Sequence, residues 1–155
     1  MDFRDGIPMK GSLEMVLERR NEQGELLGVE VTRKDNLIVN AGFDFISDSI
    51  GNSGARPSVM NAIAVGTGAV APTAGDTALG TELARAAATY AHTAGTKVFT
   101  FSNTFNAGVA TGAITEAGVA NNAVSGGIFL DRVTFAVVNK GASDVLTVTF
   151  TFTMS

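Results

Sequence analysis

The stretch V-L-T-V-T-F-T-F-T-M, from Val145 to Met154, leaves the chain few choices of fold. Leu146, Val148, Phe150, Phe152 and Met154 fall on one side of an extended backbone, and Thr147, Thr149, Thr151 and Thr153 on the other. Strict alternation of β-branched and aromatic residues predicts a strand with one buried face. Such a strand cannot bury its apolar face alone, so other strands must flank it. The threonine side reads either as the wet face of a sheet or as a contact with a sister subunit.

The remaining pattern supplies those neighbours. Leu13, Met15 and Leu17, then Val29 and Val31, alternate with polar residues around Arg20–Glu25, which predicts a β-hairpin with a charged outer face. Asn36–Asn40 reads as a connection, with Asn40 capping a helix over 41–50 that carries Phe43, Phe45, Ile46 and Ile50. Asp44 and Asp48 lie on the opposite side of that helix and suit its positive end. Strands are expected again at Met60–Val65, Thr89–Thr93, Val98–Phe105, Ala113–Val119 and Ile128–Asn139, the last paired with the 145–154 strand across Lys140–Asp144. The expected fold is all-β: an antiparallel β-sandwich or jelly roll of roughly eight strands with one short helix. A chain of 155 residues suits one domain, here 11–155, preceded by an extended arm over 1–10 that docks on its own domain or on a neighbour.

Charge and composition exclude several classes of function. The net charge is −4 and no Lys/Arg cluster occurs, so the basic stripe that displaces counterions from phosphates is missing and no nucleic-acid partner is expected. With no Cys there are no disulfides, thiolate metal sites or cysteine nucleophiles. No apolar run approaches the roughly 18–20 residues of a membrane span, and the first residues lack the pattern of a secretory signal, so synthesis in the cytoplasm is expected. Hydrophobic residues make up 45% and charged residues 17%, a balance that points to apolar surface covered by partners.

Chemistry-bearing constellations are sparse. The glycine-rich run Gly66–Asp76 has the composition of a phosphate cradle but lacks Gly-Lys-Ser/Thr, and reads as a turn. His92 is the only histidine, and no Gly-x-Ser-x-Gly elbow accompanies it. No D-x-D-x-D-G spacing exists for calcium. No catalytic residue, cofactor or metal site is expected; a hydrolase would have to use scattered carboxylates such as Glu82, Glu116 and Asp131. Glu82 and Arg85 meet if a short helical turn forms there, or each anchors a loop. Where Glu82, Arg85, Glu116 and Arg132 are buried, they are expected to form structural pairs.

The order of motifs Asn36-Leu37-Ile38-Val39-Asn40-Ala41-Gly42, Asn61-Ala62-Ile63-Ala64-Val65-Gly66-Thr67-Gly68, Ala71-Pro72, Gly75-Asp76-Thr77-Ala78-Leu79-Gly80-Thr81-Glu82-Leu83-Ala84-Arg85, Ile114-Thr115-Glu116-Ala117-Gly118 and Arg132-Val133-Thr134-Phe135 resembles small virion-associated proteins of tailed bacteriophages. Lys140 and Asp144 to Phe150 extend the resemblance, which covers most of the chain from about residue 36 and leaves the hairpin and arm outside it. The small polar residues after Ala120 stand where such proteins often carry a bulkier aromatic. The resemblance implies a β-sandwich structural protein of the virion without enzymatic activity. It leaves the place on the particle open; the extended arm, modest size and apolar surplus suit first a capsid decoration (cement) protein, a homotrimer bound to the major capsid protein. The alternative is a tail, baseplate or fibre component that binds a glycan or receptor.

Overall fold

The computed structural model describes residues 9–155. Nine strands and one helix follow one another as β1 (Met9–Arg20), β2 (Leu26–Ile38), α1 (Asn40–Gly51), β3 (Ala62–Gly66), β4 (Glu82–Ala87), β5 (Thr89–His92), β6 (Val98–Phe105), β7 (Gly112–Ala120), β8 (Asp131–Lys140) and β9 (Val145–Met154). The spatial order is β4-β3-β7-β8-β2-β1-β9-β6-β5, and every pairing is antiparallel. β4 and β5 stand at opposite ends of this order, yet only Ala88 separates them along the chain. The sheet therefore curls back on itself into a nearly closed barrel. Closure leaves few free edges, which for an apolar β-chain limits indiscriminate pairing.

β9 sits between β1 and β6 over its whole length, with Phe150 opposite Leu13 and Phe101. Its alternation resolves as expected: Leu146, Val148, Phe150 and Phe152 are fully buried, while Met154 at the end is partly exposed. Across the barrel, Ile63 and Val65 of β3, Ile114 and Val119 of β7 and Val133 and Phe135 of β8 complete the main core. β3 is buried on both sides, because Ala62 and Ala64 pack outward with Leu79, Ala120 and Phe129 beneath the long loops. Stacked and edge-on contacts among Phe99, Phe101, Phe150 and Phe152 fill the β6/β9 side, with Phe99 and Phe152 at 5.1 Å between ring centroids.

Several expectations are corrected. β1 begins at Met9, so Met9 and Lys10 belong to a strand rather than to an arm; the rest of the expected arm lies outside the described residues. Asn36–Ile38 continues β2, because Leu37 and Ile38 pair with Arg132 and Asp131 of β8. Helix α1 is capped by Val39, with Asn40 already helical and no side-chain cap bond, and it carries no acidic residue in its first turn. Phe45 and Ile46 pack on the core, whereas Phe43 and Ile50 of the expected apolar stripe are exposed. β8 and β9 do not pair: β2 and β1 lie between them, so Gly141–Asp144 is a turn into a crossover rather than a hairpin. Glu82–Ala87 is a strand and not a helical turn. The strands number nine against the roughly eight expected, the additional one being Glu82–Ala87.

Candidate functional site

Charged groups converge at the end of β3 around Gly66. This residue pairs with Glu82 of β4 on one side and Glu116 of β7 on the other. Both neighbouring ladders are irregular here. The register slips between Val65 and Gly66, leaving Leu83 as an extra residue, and again between Ile114 and Glu116 on β7. Bulges re-aim side chains. The first one places Glu82 and Arg85 on the same side, although residues three apart on a regular strand face opposite ways.

Glu116 is fully buried. Its carboxylate accepts hydrogen bonds from the backbone N–H groups of Gly68 (2.9 Å), Gly80 (2.8 Å) and Thr81 (2.7 Å), and from Arg132 Nε (3.0 Å) and Nη2 (2.8 Å). Burial pushes its pKa up, but these donors outweigh burial and hold it below the usual carboxylate range. Arg132 also donates to Asp76 Oδ2 at 2.7 Å and to the Val70 carbonyl at 2.9 Å. The glycine-rich loop thus surrounds an anion, as its composition suggests, but the anion is a side chain of the protein itself. A Cβ on Gly66 would stand 2.4 Å from the Thr81 carbonyl, and one on Gly68 2.5 Å from Glu116 Oε1, so the approach requires glycine at both.

Arg85 anchors a second loop. Its Nε and Nη2 donate to the two Glu82 oxygens at 2.8 and 2.7 Å, and Nη1 donates to the carbonyls of Asn122 and Gly126, both at 2.7 Å. The guanidinium lies 5.2 Å from the Phe129 ring centroid. The structure therefore brings Glu82 to Arg85 and Glu116 to Arg132, and sets the two pairs on either side of Gly66.

Three further ionisable groups are buried: Asp131, Lys140 and Asp144. Asp131 accepts a hydrogen bond from the Val119 N–H at 2.9 Å and one from the Asn36 amide, at the short seam where β2 meets β8. Burial lifts its pKa to about 7, against the pull of both donors. Asp144 accepts from the N–H groups of Arg20 and Gly141 and from Arg19, tying the β8–β9 turn to β1. Nearby, the buried Lys140 Nζ donates to the Asn106 carbonyl at 3.1 Å, and burial depresses its pKa against the raising effect of Asp144. The signal for these groups was an ionisable residue set in an apolar strand run, as in Phe129-Leu130-Asp131 and Val137-Val138-Asn139-Lys140.

The threonine row occupies the outer side of the β1/β9/β6 stretch. Thr147, Thr149 and Thr151 pair with Thr104, Ser102 and Thr100 of β6, and Thr153 with Val98. The hydroxyls of Thr104 and Thr147 are 3.0 Å apart. Thr149 and Thr151 form the floor of a groove of about 690 Å³ whose walls carry Ser12, Glu14, Arg33, Lys34 and Asp35. A second cleft, of about 630 Å³ and apolar, opens between Phe45, Ile46 and Ile50 of α1 and Tyr90, Phe99 and Met154. His92 is exposed at the end of β5, opposite Phe99, with Nδ1 2.8 Å from the Val98 carbonyl.

Chemically, the buried carboxylates and guanidinium groups are spent on holding backbone. No group of three or more His, Cys, Asp and Glu side chains among the described residues is arranged to hold a metal ion, and no helix among them is long and apolar enough to cross a membrane. Comparison of the chain with protein-family models, with curated proteins and with solved structures finds no match.

Proposed function

We propose that the protein is a non-enzymatic structural component of a virion, acting as a decoration protein that binds the outer surface of a capsid shell and stabilises it. The barrel is read here as a β-sandwich of the jelly-roll kind, and its working form as a homotrimer attached to the major capsid protein. The observation that carries the reading is the division of labour between inside and outside. Buried charges pin the loops over a nearly closed β-core, while large apolar side chains such as Ile50, Val59, Val70 and Val124 stand exposed, at 84, 72, 76 and 86%. Exposed apolar surface on a rigid frame suits assembly more than turnover. Co-sedimentation tests it: the purified protein should pellet with empty expanded capsid shells and raise their melting temperature. Pelleting with purified tails alone would move the protein to the tail.

The groove above Thr149 and Thr151 favours a second reading, a tail or fibre component that holds a glycan. Its hydroxyl floor, with Glu14, Asp35, Arg33 and Lys34 at the walls, offers the donors and acceptors a sugar requires. A glycan array decides it, since uniform absence of binding retires the reading.

A further inference from the structure

The barrel keeps one long free edge. Along β2, residues Leu26–Asn36 pair with β1 on one side, while β8 reaches the other side only at Leu37 and Ile38. Among the described residues the outer edge of Leu26–Asn36 therefore has no strand beside it, and its outward N–H and C=O groups are a template for another strand. Val29 and Val31, both β-branched, are 54 and 48% exposed on this stretch.

We infer that this edge pairs with the same edge of a second copy of the chain, antiparallel about a twofold axis through Thr32. The order of charges selects the register. With Thr32 opposite Thr32, Glu30 of each copy, which holds its own Arg19 at 3.0 Å, lies opposite Lys34 of the other, so each Glu30 gains a second cation and two opposite-charge contacts form across the edge. The same alignment sets Val31 opposite Arg33, whose aliphatic stem covers it while the guanidinium stays on Glu14 at 2.8 Å. Centring on Glu30 or on Arg33 would place like charges face to face, and centring on Val31 would set Glu30 against Thr32. Charged residues normally guard an edge by repulsion; here their order is self-complementary. The contact does not rest on the virion reading: a threefold association through another face leaves this edge free to join two trimers, and without one it gives a dimer.

The chain lacks cysteine, which makes the register directly testable. Directly opposite Cα atoms in an antiparallel pair are about 4.5–5.5 Å apart, within the span of a disulfide. Thr32→Cys should give a disulfide-linked dimer under mild oxidation, while Val29→Cys, opposite Asp35, should not link to itself. Sedimentation should show wild type self-associating, Glu30→Lys weakening that by about tenfold or more, and Glu30→Lys/Lys34→Glu restoring it. Circular dichroism confirms that each variant is folded. The inference is overturned if wild type stays monomeric through the micromolar range, if Val29→Cys links as readily as Thr32→Cys, or if Glu30→Lys leaves association unchanged.

Discussion

At the scale of single residues, Glu116 and Asp131 make opposite demands on pH. Glu116→Gln keeps the size of the side chain but removes the charge and one acceptor, leaving Arg132 buried without its main partner. It should lower unfolding free energy by about 3–5 kcal/mol in a urea titration. Its folded pKa is depressed, as are those of Asp76 and Asp144, so the stability they contribute is present above the ordinary carboxylate range and is lost in acid. Asp131 works the other way. Its folded pKa of about 7 exceeds the ordinary 3.8, so the folded form holds the proton more tightly. That contribution is complete below the ordinary value and is lost as pH rises to about 7. Asp131→Asn, neutral at every pH, should abolish a loss on the order of a few kcal/mol between those limits, read as a flattened profile of denaturation midpoint against pH. Of this chemistry the sequence shows only part. Glu82 and Arg85 are near neighbours in the chain, so their meeting could be anticipated; the donors around Glu116 come from loop backbone, which no side-chain pattern encodes. Asp131 displays nothing but an acid inside an apolar run.

At the scale of elements, helix α1 shows packing overriding propensity. Gly42 is buried, and a Cβ there would stand 2.2 Å from the Leu130 carbonyl. Alanine favours helix by about 1 kcal/mol over glycine, yet the clash is with backbone that cannot swing aside. Gly42→Ala should therefore destabilise by about 1–3 kcal/mol in equilibrium denaturation. Gly51→Ala, at the helix end with open space around its Cβ position, is the matched control and should be neutral or slightly stabilising. The same competition explains which elements could be read in advance. β1 and β9 alternate cleanly because one face is core and the other is not, so period and burial agree. β4 could not be read: its bulge at Leu83 breaks the period, and Glu82 with Arg85 three apart imitates a helical pair. β2 runs on to Ile38 because β8 meets it there, a tertiary contact with no local signature. The apolar stripe of α1 was visible, but the barrel accepts Phe45 and Ile46 and leaves Phe43 and Ile50 outside.

At the scale of the whole molecule, the first described strand and the last lie side by side in the sheet. β1 pairs with β9 from Met9 to Glu18, and β9 alone links β1 to β6. An all-β class followed from the strand pattern, but the order of strands did not, because β8 and β9 are neighbours in the chain and strangers in the sheet. That separation gives β9 a central place: it is the one strand hydrogen-bonded to both β1 and β6. Phe150 lies at the middle of this link, fully buried, with its ring 6.3 Å from that of Phe152. Phe150→Ala should cost about 3–5 kcal/mol. The more telling result is the shape of unfolding. Tyr90, the only tyrosine, packs on Phe101 at 5.5 Å on the far side of β9 from β1, so its near-ultraviolet dichroism reports on β5–β6. If β9 joins the two regions into one unit, this signal and the far-ultraviolet signal of the whole sheet should move together to the lower midpoint in the variant. A tyrosine transition that separates from the backbone transition would show instead that β5–β6 folds as a unit of its own, and that the barrel is two cooperative parts rather than one.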